Sequence, residues 1–371
     1  MVFFDYTNKE YISKMDNANK KIGIRDDDKF GKKDVVIIYT PPKVGSTTLV
    51  SSFRINTAGK FDVLHLHNDK MLKYLHDIHD ATVMEIIYYN KFLGKQVYVI
   101  DIYRSPIEHK ISLFFENIDT HHFNSPPEIL KTYDIKKIIN RFNKIFPHLI
   151  TSDYYRTVYE IEPPEVFNFN NKYITARKDG IQFLKIRLKD SIEWKTILKN
   201  IFGIEIFIVS EYETEKKPIG ELYKNFKKNY RIPCNLLDLV KDDEALSYYY
   251  SKNEKNEYLE SWENKMTHVK IEPFTVPEFE LYTSISVENK YMTELDRDHY
   301  IDMGCLCMGC SRKRGIFLLK LMKGEPIYDK IEHISAAKEY IKEKAKHMHV
   351  YYKKQNTKQN VVKQNFIRNF K

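Results

Sequence analysis

The stretch Asp34-Val-Val-Ile-Ile-Tyr39, followed at once by Thr40-Pro-Pro-Lys-Val-Gly-Ser46, decides the fold of this chain. Its first part is a short, continuous apolar run, which is typical of a strand buried on both faces of a sheet. The two prolines and Gly45 interrupt that run, and residues 47–56 then have the pattern of a helix. A strand, a tight loop and a helix in this order begin the repeating unit of an α/β protein.

The alternation of strands and helices continues to about Tyr212. Further strands are predicted at 61–67, 96–103, 182–189 and 204–210. Helices are predicted from Asp80 toward Phe92, from Ser105 onward, at 191–202 and across much of 219–265. We therefore predict an α/β fold in which a parallel sheet is flanked by helices on both faces.

The composition supports a folded chain with one large domain or two ordinary ones. The 371 residues are 42% hydrophobic, and Gly 12 and Pro 13 are too few for a collagen-like or wholly disordered protein. No apolar run reaches the roughly 18 residues of a membrane-spanning helix, and the N-terminus lacks the apolar region of a signal peptide. Four cysteines fit a reducing compartment. We predict an N-terminal segment over 1–33, an α/β domain over 34–265 and a mostly helical C-terminal extension over 266–371.

The net charge of +9 is concentrated at one end of the chain. Residues 338–371 contain ten basic and two acidic residues, so the rest of the chain is almost neutral. A basic tail without an aromatic stacking motif is usually a solvated helix or arm, and we do not expect a nucleic-acid partner. The function must therefore be inferred from local motifs and not from the overall charge.

The loop after the first strand has the features of an anion-binding site. Backbone N–H groups and the positive end of the following helix converge there. Gly45 lets the backbone approach a ligand closely, and Lys43 adds a positive charge. Hydroxyl donors come from Ser46, Thr47 and Thr48. An ordinary strand–helix turn with a capping serine or threonine would explain the same residues, so this alternative stays open.

The loop differs from the GxxxxGK[ST] phosphate loop, because its lysine precedes the glycine. Pro42-Lys-Val-Gly-Ser-Thr47 resembles instead the 5′-phosphosulfate loop of sulfotransferases, especially that of the carbohydrate sulfotransferases. The resemblance implies a P-loop-like sulfotransferase fold and the donor 3′-phosphoadenosine 5′-phosphosulfate. In that family the lysine contacts the bridging oxygen of the leaving phosphate, which implies a catalytic role for Lys43. The residues that the resemblance assigns to the 5′-phosphate and sulfuryl group are Lys43, Val44, Gly45, Ser46, Thr47 and Thr48.

A second motif follows the third strand. Arg104 stands at the carboxyl end of that strand, where open α/β sheets bind ligands, and a guanidinium suits bidentate binding of a phosphate. Arg104-Ser-Pro106 with Ser112 resembles the 3′-phosphate motif of sulfotransferases, Arg-Asp-Pro with a serine eight residues after the arginine. Ser105 replaces the usual aspartate, and His109 stands where the family often has arginine. The alternative is a capped structural helix whose arginine faces solvent.

The proton of an acceptor hydroxyl needs a base, and histidine suits that task near neutral pH. His65 and His67 alternate along the second strand, so they lie on one face near its end. Sulfotransferases often carry a base at this place, so we favour His67 as the catalytic base and rank His65 second. Further candidates are Glu85, His109, His121 and His122.

Two later segments resemble the family less specifically. Residues 208–213 (IVSEYE) are similar to a late strand of sulfotransferases and the residues that follow it. Residues 248–254 (YYYSKNE), with Trp262 downstream, are similar to a capsular-polysaccharide-synthesis branch of the superfamily. The resemblance therefore covers about residues 34–262.

A cysteine cluster lies in the C-terminal extension. Cys305, Cys307 and Cys310, with His299 upstream, could ligate zinc as a small clip. Their spacing is not one of the common zinc-finger patterns, so buried free thiols are the simpler explanation and zinc is a weak alternative. The sulfotransferase resemblance itself requires no metal.

The sequence therefore predicts transfer of a sulfuryl group from 3′-phosphoadenosine 5′-phosphosulfate to a hydroxyl, and the resemblance implies a glycan acceptor. We expect a cytoplasmic enzyme of bacterial or viral origin, because the composition fits an AT-rich genome and no membrane anchor is seen. One alternative is a P-loop kinase or NTPase, for which Asp101 is a poor candidate Mg²⁺ ligand. The other is a non-enzymatic interaction protein that retains the fold.

Overall fold

A five-stranded sheet organises residues 34–187. Its strands are β1 (Asp34–Tyr39), β2 (Phe61–Leu66), β3 (Val97–Tyr103), β4 (Tyr173–Lys178) and β5 (Ile181–Arg187). In the computed structural model they lie in the order β2-β1-β3-β5-β4, and β4 alone runs antiparallel to its neighbour. A separate two-residue pairing joins β6 (Ile232–Pro233) to β7 (Met266–Thr267).

Helices connect the parallel strands. The first five are α1 (Lys9–Lys21), α2 (Ser46–Thr57), α3 (Asp69–His76), α4 (Val83–Phe92) and α5 (Pro106–Glu116). The later ones are α6 (Pro127–Leu130), α7 (Ile135–Ile145), α8 (Tyr154–Thr157), α9 (Trp194–Phe202), α10 (Gly220–Asn229), α11 (Cys234–Lys241), α12 (Glu244–Tyr249) and α13 (Lys252–Glu263). A π-helical turn spans Ile118–His122, and 3₁₀ turns span Phe146–His148 and Leu188–Glu193. The structure confirms the predicted α/β architecture, a mostly parallel sheet flanked by helices.

Apolar side chains on both faces of β1 explain why its sequence is a continuous hydrophobic run. Val36 and Ile38 pack in one buried cluster with residues of α2 and α9. Because side chains alternate along a strand, Val35 and Ile37 point to the other face, where they are equally buried. A strand covered on both faces needs apolar residues at every position, and β1 meets that requirement.

The strand order places a topological switch point between β1 and β3. The chain leaves β1 through α2 and adds β2 on one side, whereas it leaves β3 through α5 and later adds β5 on the other side. Loops that diverge in this way open a crevice at the carboxyl ends of the two strands, where open α/β sheets bind ligands. The loop after Tyr39 and the residue after Tyr103 both lie at this crevice.

A buried ion network lies within the sheet near the same edge. Lys185 of β5 is paired in register with Asp101 of β3, and its Nζ lies 2.5 Å from Asp101 Oδ2 and 2.9 Å from Asp153 Oδ1. Burial raises the pKa of Asp101. At Lys185 burial acts to lower the pKa, but the two carboxylates outweigh it and raise the pKa. Tyr249 donates to Asp153 and Thr40 Oγ1 donates to Asp101, so the network joins β3, β5, α12 and the residue directly after β1.

The structure describes residues 6–24, 33–57, 59–123, 127–149, 151, 153–209, 215, 217–276, 278, 279 and 282. The chain divides into two units, one of Met1–Glu116 with Ile135–Glu272 and one of Asn117–Asp134 with Pro273–Lys371. Within the second unit, the rings of His122 and Tyr282 stack at 5.9 Å between centroids.

The predicted basic tail lies outside the described residues. Among the helices that are described, none has the length and apolar character needed to cross a bilayer.

Three features differ from the sequence prediction. The predicted strand at 204–210 is wrong for its described part, since residues 204–209 form no strand and Val209 N bonds instead to Ser52 Oγ of α2. Helix α4 begins at Val83 with Thr82 as its cap, because Thr82 and Glu85 form a capping box that Asp80 does not provide. Helices α1 and α7 and strand β4 were not predicted.

Lys185→Met tests the buried ion network. We expect it to lower the free energy of unfolding by about 3–5 kcal/mol, because Asp101 and Asp153 would lose their buried cation. Lys195→Met is the matched control, since Lys195 pairs with Glu205 at 3.3 Å and both side chains are largely exposed. The control should change the free energy of unfolding very little, because an exposed ion pair is screened by solvent. Urea denaturation of both variants gives the comparison, and equal losses would contradict a special role for the network.

Candidate functional site

The loop from Thr40 to Gly45 leaves β1 and enters α2 in an unusual backbone conformation. Lys43 has φ of 66° and Gly45 has φ of 89°, both in the left-handed region. The positive φ favours glycine at position 45, and a Cβ there would lie 2.7 Å from Cδ1 of Leu188, so a larger residue would also have to displace that side chain. Val44 is wholly buried and anchors the loop in the core. Left-handed residues within a turn bring backbone N–H groups toward one point, as in anion-binding nests.

Side chains from three neighbouring elements hold the carbonyl groups of this loop. The three pairs are His67 Nδ1 with the Thr40 carbonyl at 2.7 Å, His109 Nε2 with the Pro42 carbonyl at 2.8 Å and Arg104 Nη1 with the Lys43 carbonyl at 2.6 Å. A carbonyl only accepts, so each side chain is the donor. In a trans peptide the C=O and the next N–H point in opposite directions. The N–H groups of Lys43 and Val44 therefore point away from these donors.

Arg104 joins the two motifs that the sequence analysis treated separately. It follows β3 directly, and its bond to the Lys43 carbonyl brings both predicted anchors to one place. Burial lowers its pKa, and its Nε is enclosed without a hydrogen-bond partner among the described residues. A buried N–H group without a partner can donate a hydrogen bond to an oxygen of a ligand. Because a guanidinium carries five N–H donors, the bond to the loop leaves others for a ligand.

Ser112 lies on the side of α5 that faces the loop. It is 2% exposed, and it stands between His109 and Glu116, both of which contact loop residues. Residues three and four apart share one helix face, so the three side chains form one row. At the other end of the loop, Ser46 is buried at the start of α2, whereas Thr47 and Thr48 are half-buried.

A carboxylate and two lysines meet beside the loop. Nζ of Lys43 lies 2.9 Å from Oε2 of Glu116, and Nζ of Lys217 lies 2.7 Å from the same oxygen. Burial lowers the pKa of Lys43, against the opposing effect of Glu116. At Glu116 burial acts to raise the pKa, but the hydrogen bonds from Lys217 and Lys43 outweigh it and lower the pKa. The carboxylate is therefore charged at neutral pH.

His67 is better placed than His65 to act on a ligand at this cluster. Because its Nδ1–H donates to the Thr40 carbonyl, the neutral ring carries its lone pair on Nε2. Burial lowers the pKa of His67, and Lys43 and Glu116 are among the charges that act on it. Burial also lowers the pKa of His65, to about 4, but neither of those two residues is among its perturbing groups. The His65 Nε2 is buried without a partner among the described residues.

The start of α5 is held by aromatic residues from the later part of the first unit. Ser105 Oγ lies 2.7 Å from the hydroxyl of Tyr250. Tyr258 donates to Glu108 at 2.8 Å, and Nε1 of Trp262 donates to Glu108 at 3.1 Å. The Tyr-rich segment and Trp262, which the sequence analysis singled out, therefore orient the helix that carries Ser112.

The other candidate bases have different roles or positions. Glu85 caps α4 and pairs with Lys14 at 3.4 Å, so its assignment as a base is not supported by its surroundings. Nε2 of His109 donates a hydrogen bond to the Pro42 carbonyl of the loop, and burial lowers the pKa of His109 to about 3. His121 and His122 belong to the second unit.

The predicted zinc ligands His299, Cys305, Cys307 and Cys310 lie outside the described residues. Within the part of the chain that the structure describes, no group of three or more His, Cys, Asp or Glu residues is arranged to hold a metal ion.

Sequence reasoning missed three members of the site. Glu116 shares a helix face with Ser112, and that spacing was the available signal. Thr40 stands directly after β1, a position that often carries function in α/β sheets. Lys217 had no local signal, since it lies 101 residues from Glu116 in the sequence.

Comparison with known proteins adds no relative: the chain matches no protein-family model, no curated protein and no solved structure.

His109→Leu tests whether the imidazole fixes the loop. The change removes the donor to the Pro42 carbonyl, so we expect a loss of about 1–3 kcal/mol in the free energy of unfolding. His109→Gln is the matched control, because its side-chain amide can place an N–H near the original Nε2 and should recover most of the loss. Denaturant unfolding of both variants is the measurement, and equal losses would show that the side-chain volume matters and the hydrogen bond does not.

Proposed function

We propose that this chain is a sulfotransferase, which transfers a sulfuryl group from 3′-phosphoadenosine 5′-phosphosulfate to a hydroxyl of a carbohydrate. The observation that carries the proposal is the 2.6 Å hydrogen bond from Arg104 to the Lys43 carbonyl. Two sequence motifs that resemble the two phosphate-binding motifs of sulfotransferases thereby lie side by side at the switch point of a parallel sheet. One nucleotide with a phosphate group at each end of its ribose can contact both.

The residues at this place suit such a donor. The N–H groups of the loop, Lys43 and the hydroxyls of Thr47 and Thr48 provide donors for the 5′-phosphate and sulfuryl oxygens. Arg104 has a buried Nε without a partner among the described residues, and Ser112 lies on the adjoining helix face. These two residues would hold the 3′-phosphate.

The proposed reaction is an in-line displacement at sulfur. The acceptor oxygen forms a bond to sulfur, while the bond between sulfur and the bridging phosphate oxygen breaks. The electron pair of the broken bond stays on the phosphate of the leaving 3′-phosphoadenosine 5′-phosphate, and the Lys43 ammonium stabilises that charge. Nε2 of neutral His67 takes the proton of the acceptor hydroxyl. The products are a sulfate ester and the bisphosphate nucleotide.

The surroundings of Asp101 weigh against the alternative of a P-loop kinase or NTPase. A P-loop kinase or NTPase requires a carboxylate at a strand end that can bind Mg²⁺. Asp101 is wholly buried, and its two oxygens accept from Thr40 and Lys185. A carboxylate used in this way is a poor ligand for a hydrated cation.

Nucleotide binding tests the proposal directly. We expect 3′-phosphoadenosine 5′-phosphate to raise the melting temperature of the full chain, with stabilisation of about 2.7 kcal/mol at a hundredfold excess over Kd. ATP with Mg²⁺ should give a much smaller shift. Lys43→Ala should remove turnover of the phosphosulfate donor while the fold is kept, and Lys195→Ala is the control on a distant surface lysine. Stabilisation by ATP with Mg²⁺ alone would favour the kinase alternative and overturn the proposal.

The role of His67 predicts a particular pH profile. Because burial lowers its pKa below the ordinary 6.5, turnover should fall as the pH decreases and reach half of its plateau value only at a pH below 6.5. His67→Asn can keep a donor toward the Thr40 carbonyl but lacks the base, so it should lower turnover about 100-fold or more with little change in donor affinity. His65→Asn is the control. A larger loss in that control would identify His65 as the base.

A further inference from the structure

The carboxylate of Glu116 occupies the space between two lysines that come from separate parts of the chain. Lys43 belongs to the loop after β1, whereas Lys217 precedes α10. Both ammonium groups approach the same oxygen, Oε2, at 2.9 Å and 2.7 Å. Two cations around one oxygen are also the arrangement that an oxygen of a sulfate or phosphate group would need.

The position of Glu116 in its helix makes this arrangement unusual. Glu116 is the last residue of α5, where the negative end of the helix dipole disfavours a carboxylate. Its side chain is 34% exposed, so it can move into solvent without breaking a packed core. The two lysines therefore hold the carboxylate, and the helix does not.

We propose that Glu116 is a specificity-determining residue of this site, an internal anion that a ligand must displace from Lys43 and Lys217. The proposal rests on the proposed function, because it concerns the same donor site. An inorganic sulfate placed between these two lysines is a single anionic group, and it must compete with a carboxylate that is always present. A bisphosphate nucleotide has a second anchor at Arg104, so it can displace Glu116 where sulfate cannot. Glu116 thus excludes small anions from the site.

Glu116→Gln tests this inference through the binding of inorganic sulfate, measured by calorimetry on the full chain. The variant removes the competing charge and keeps the size of the side chain. We expect sulfate to bind about tenfold more tightly than to the wild type, whereas 3′-phosphoadenosine 5′-phosphate should gain only about two- to threefold. The selectivity for the nucleotide over sulfate should therefore fall.

Glu205→Gln is the matched control, because Glu205 also lies between two lysines, Lys195 at 3.3 Å and Lys199 at 3.7 Å. It should leave sulfate binding unchanged. The double variant Glu116→Gln with Lys217→Met should lose the gain, which locates the new sulfate at these lysines. An unchanged sulfate affinity in Glu116→Gln, or an equal gain in the Glu205 control, would overturn the inference.

The same measurements separate this inference from the proposed function. If the nucleotide binds to none of the variants while Glu116→Gln gains sulfate affinity, the role of Glu116 as an internal anion stands and the nucleotide donor is wrong. If the nucleotide binds the wild type and Glu116→Gln changes neither ligand, the donor site stands and the inference about Glu116 is wrong. Glu116→Ala provides a second variant if the glutamine form folds poorly.

Discussion

Hydrogen bonds to the carbonyl groups of Thr40, Pro42 and Lys43 are the constraint on which the candidate site depends. A left-handed backbone at a residue such as Lys43 costs about 1–2 kcal/mol, so it persists only where the surroundings fix it. The donors are His67, Arg104 and His109, which come from the end of β2, the end of β3 and the first part of α5. They meet at the loop because β2 and β3 lie on either side of β1. The sheet order therefore sets the conformation of the loop.

The buried ion network extends this constraint into the interior. Thr40 accepts from His67 through its carbonyl, while its hydroxyl donates to Asp101 and accepts from the N–H of Ile102. Asp101 in turn is held by Lys185. Separating a buried ion pair is costly, so a shift of β5 against β3 that parted Lys185 from Asp101 would be disfavoured. The orientation of the His67 ring is thereby tied to the register of β3 and β5.

The parts that could be predicted from the sequence are those with strong local signals. The apolar run of β1 predicted a buried strand and the Arg104-Ser-Pro106 segment predicted the start of α5, and both elements are confirmed. The binding roles of the two motifs stay predictions. The hairpin of β4 and β5 was not predicted, although the dipeptide Asp179-Gly180 is a sequence signal for a two-residue hairpin turn. In the structure both residues have positive φ, as a type I′ turn requires. Residues 204–209 are apolar enough for a strand, but two of their backbone groups bond to side chains of α2. The N–H of Val209 donates to Ser52, and the carbonyl of Phe207 accepts from Asn56. The pairing of Glu116 with Lys217 depends on tertiary structure and leaves no local pattern.

Burial determines which groups of the site are charged at neutral pH. Burial lowers the pKa of His65, His67 and His109, so these rings are neutral at physiological pH and add no positive charge. The positive charge near the loop comes from Lys43, Lys217 and Arg104 instead, and Glu116 offsets one unit of it. A base that is neutral and cations that stay charged can therefore work side by side, which is what transfer of an anionic group to a neutral hydroxyl requires.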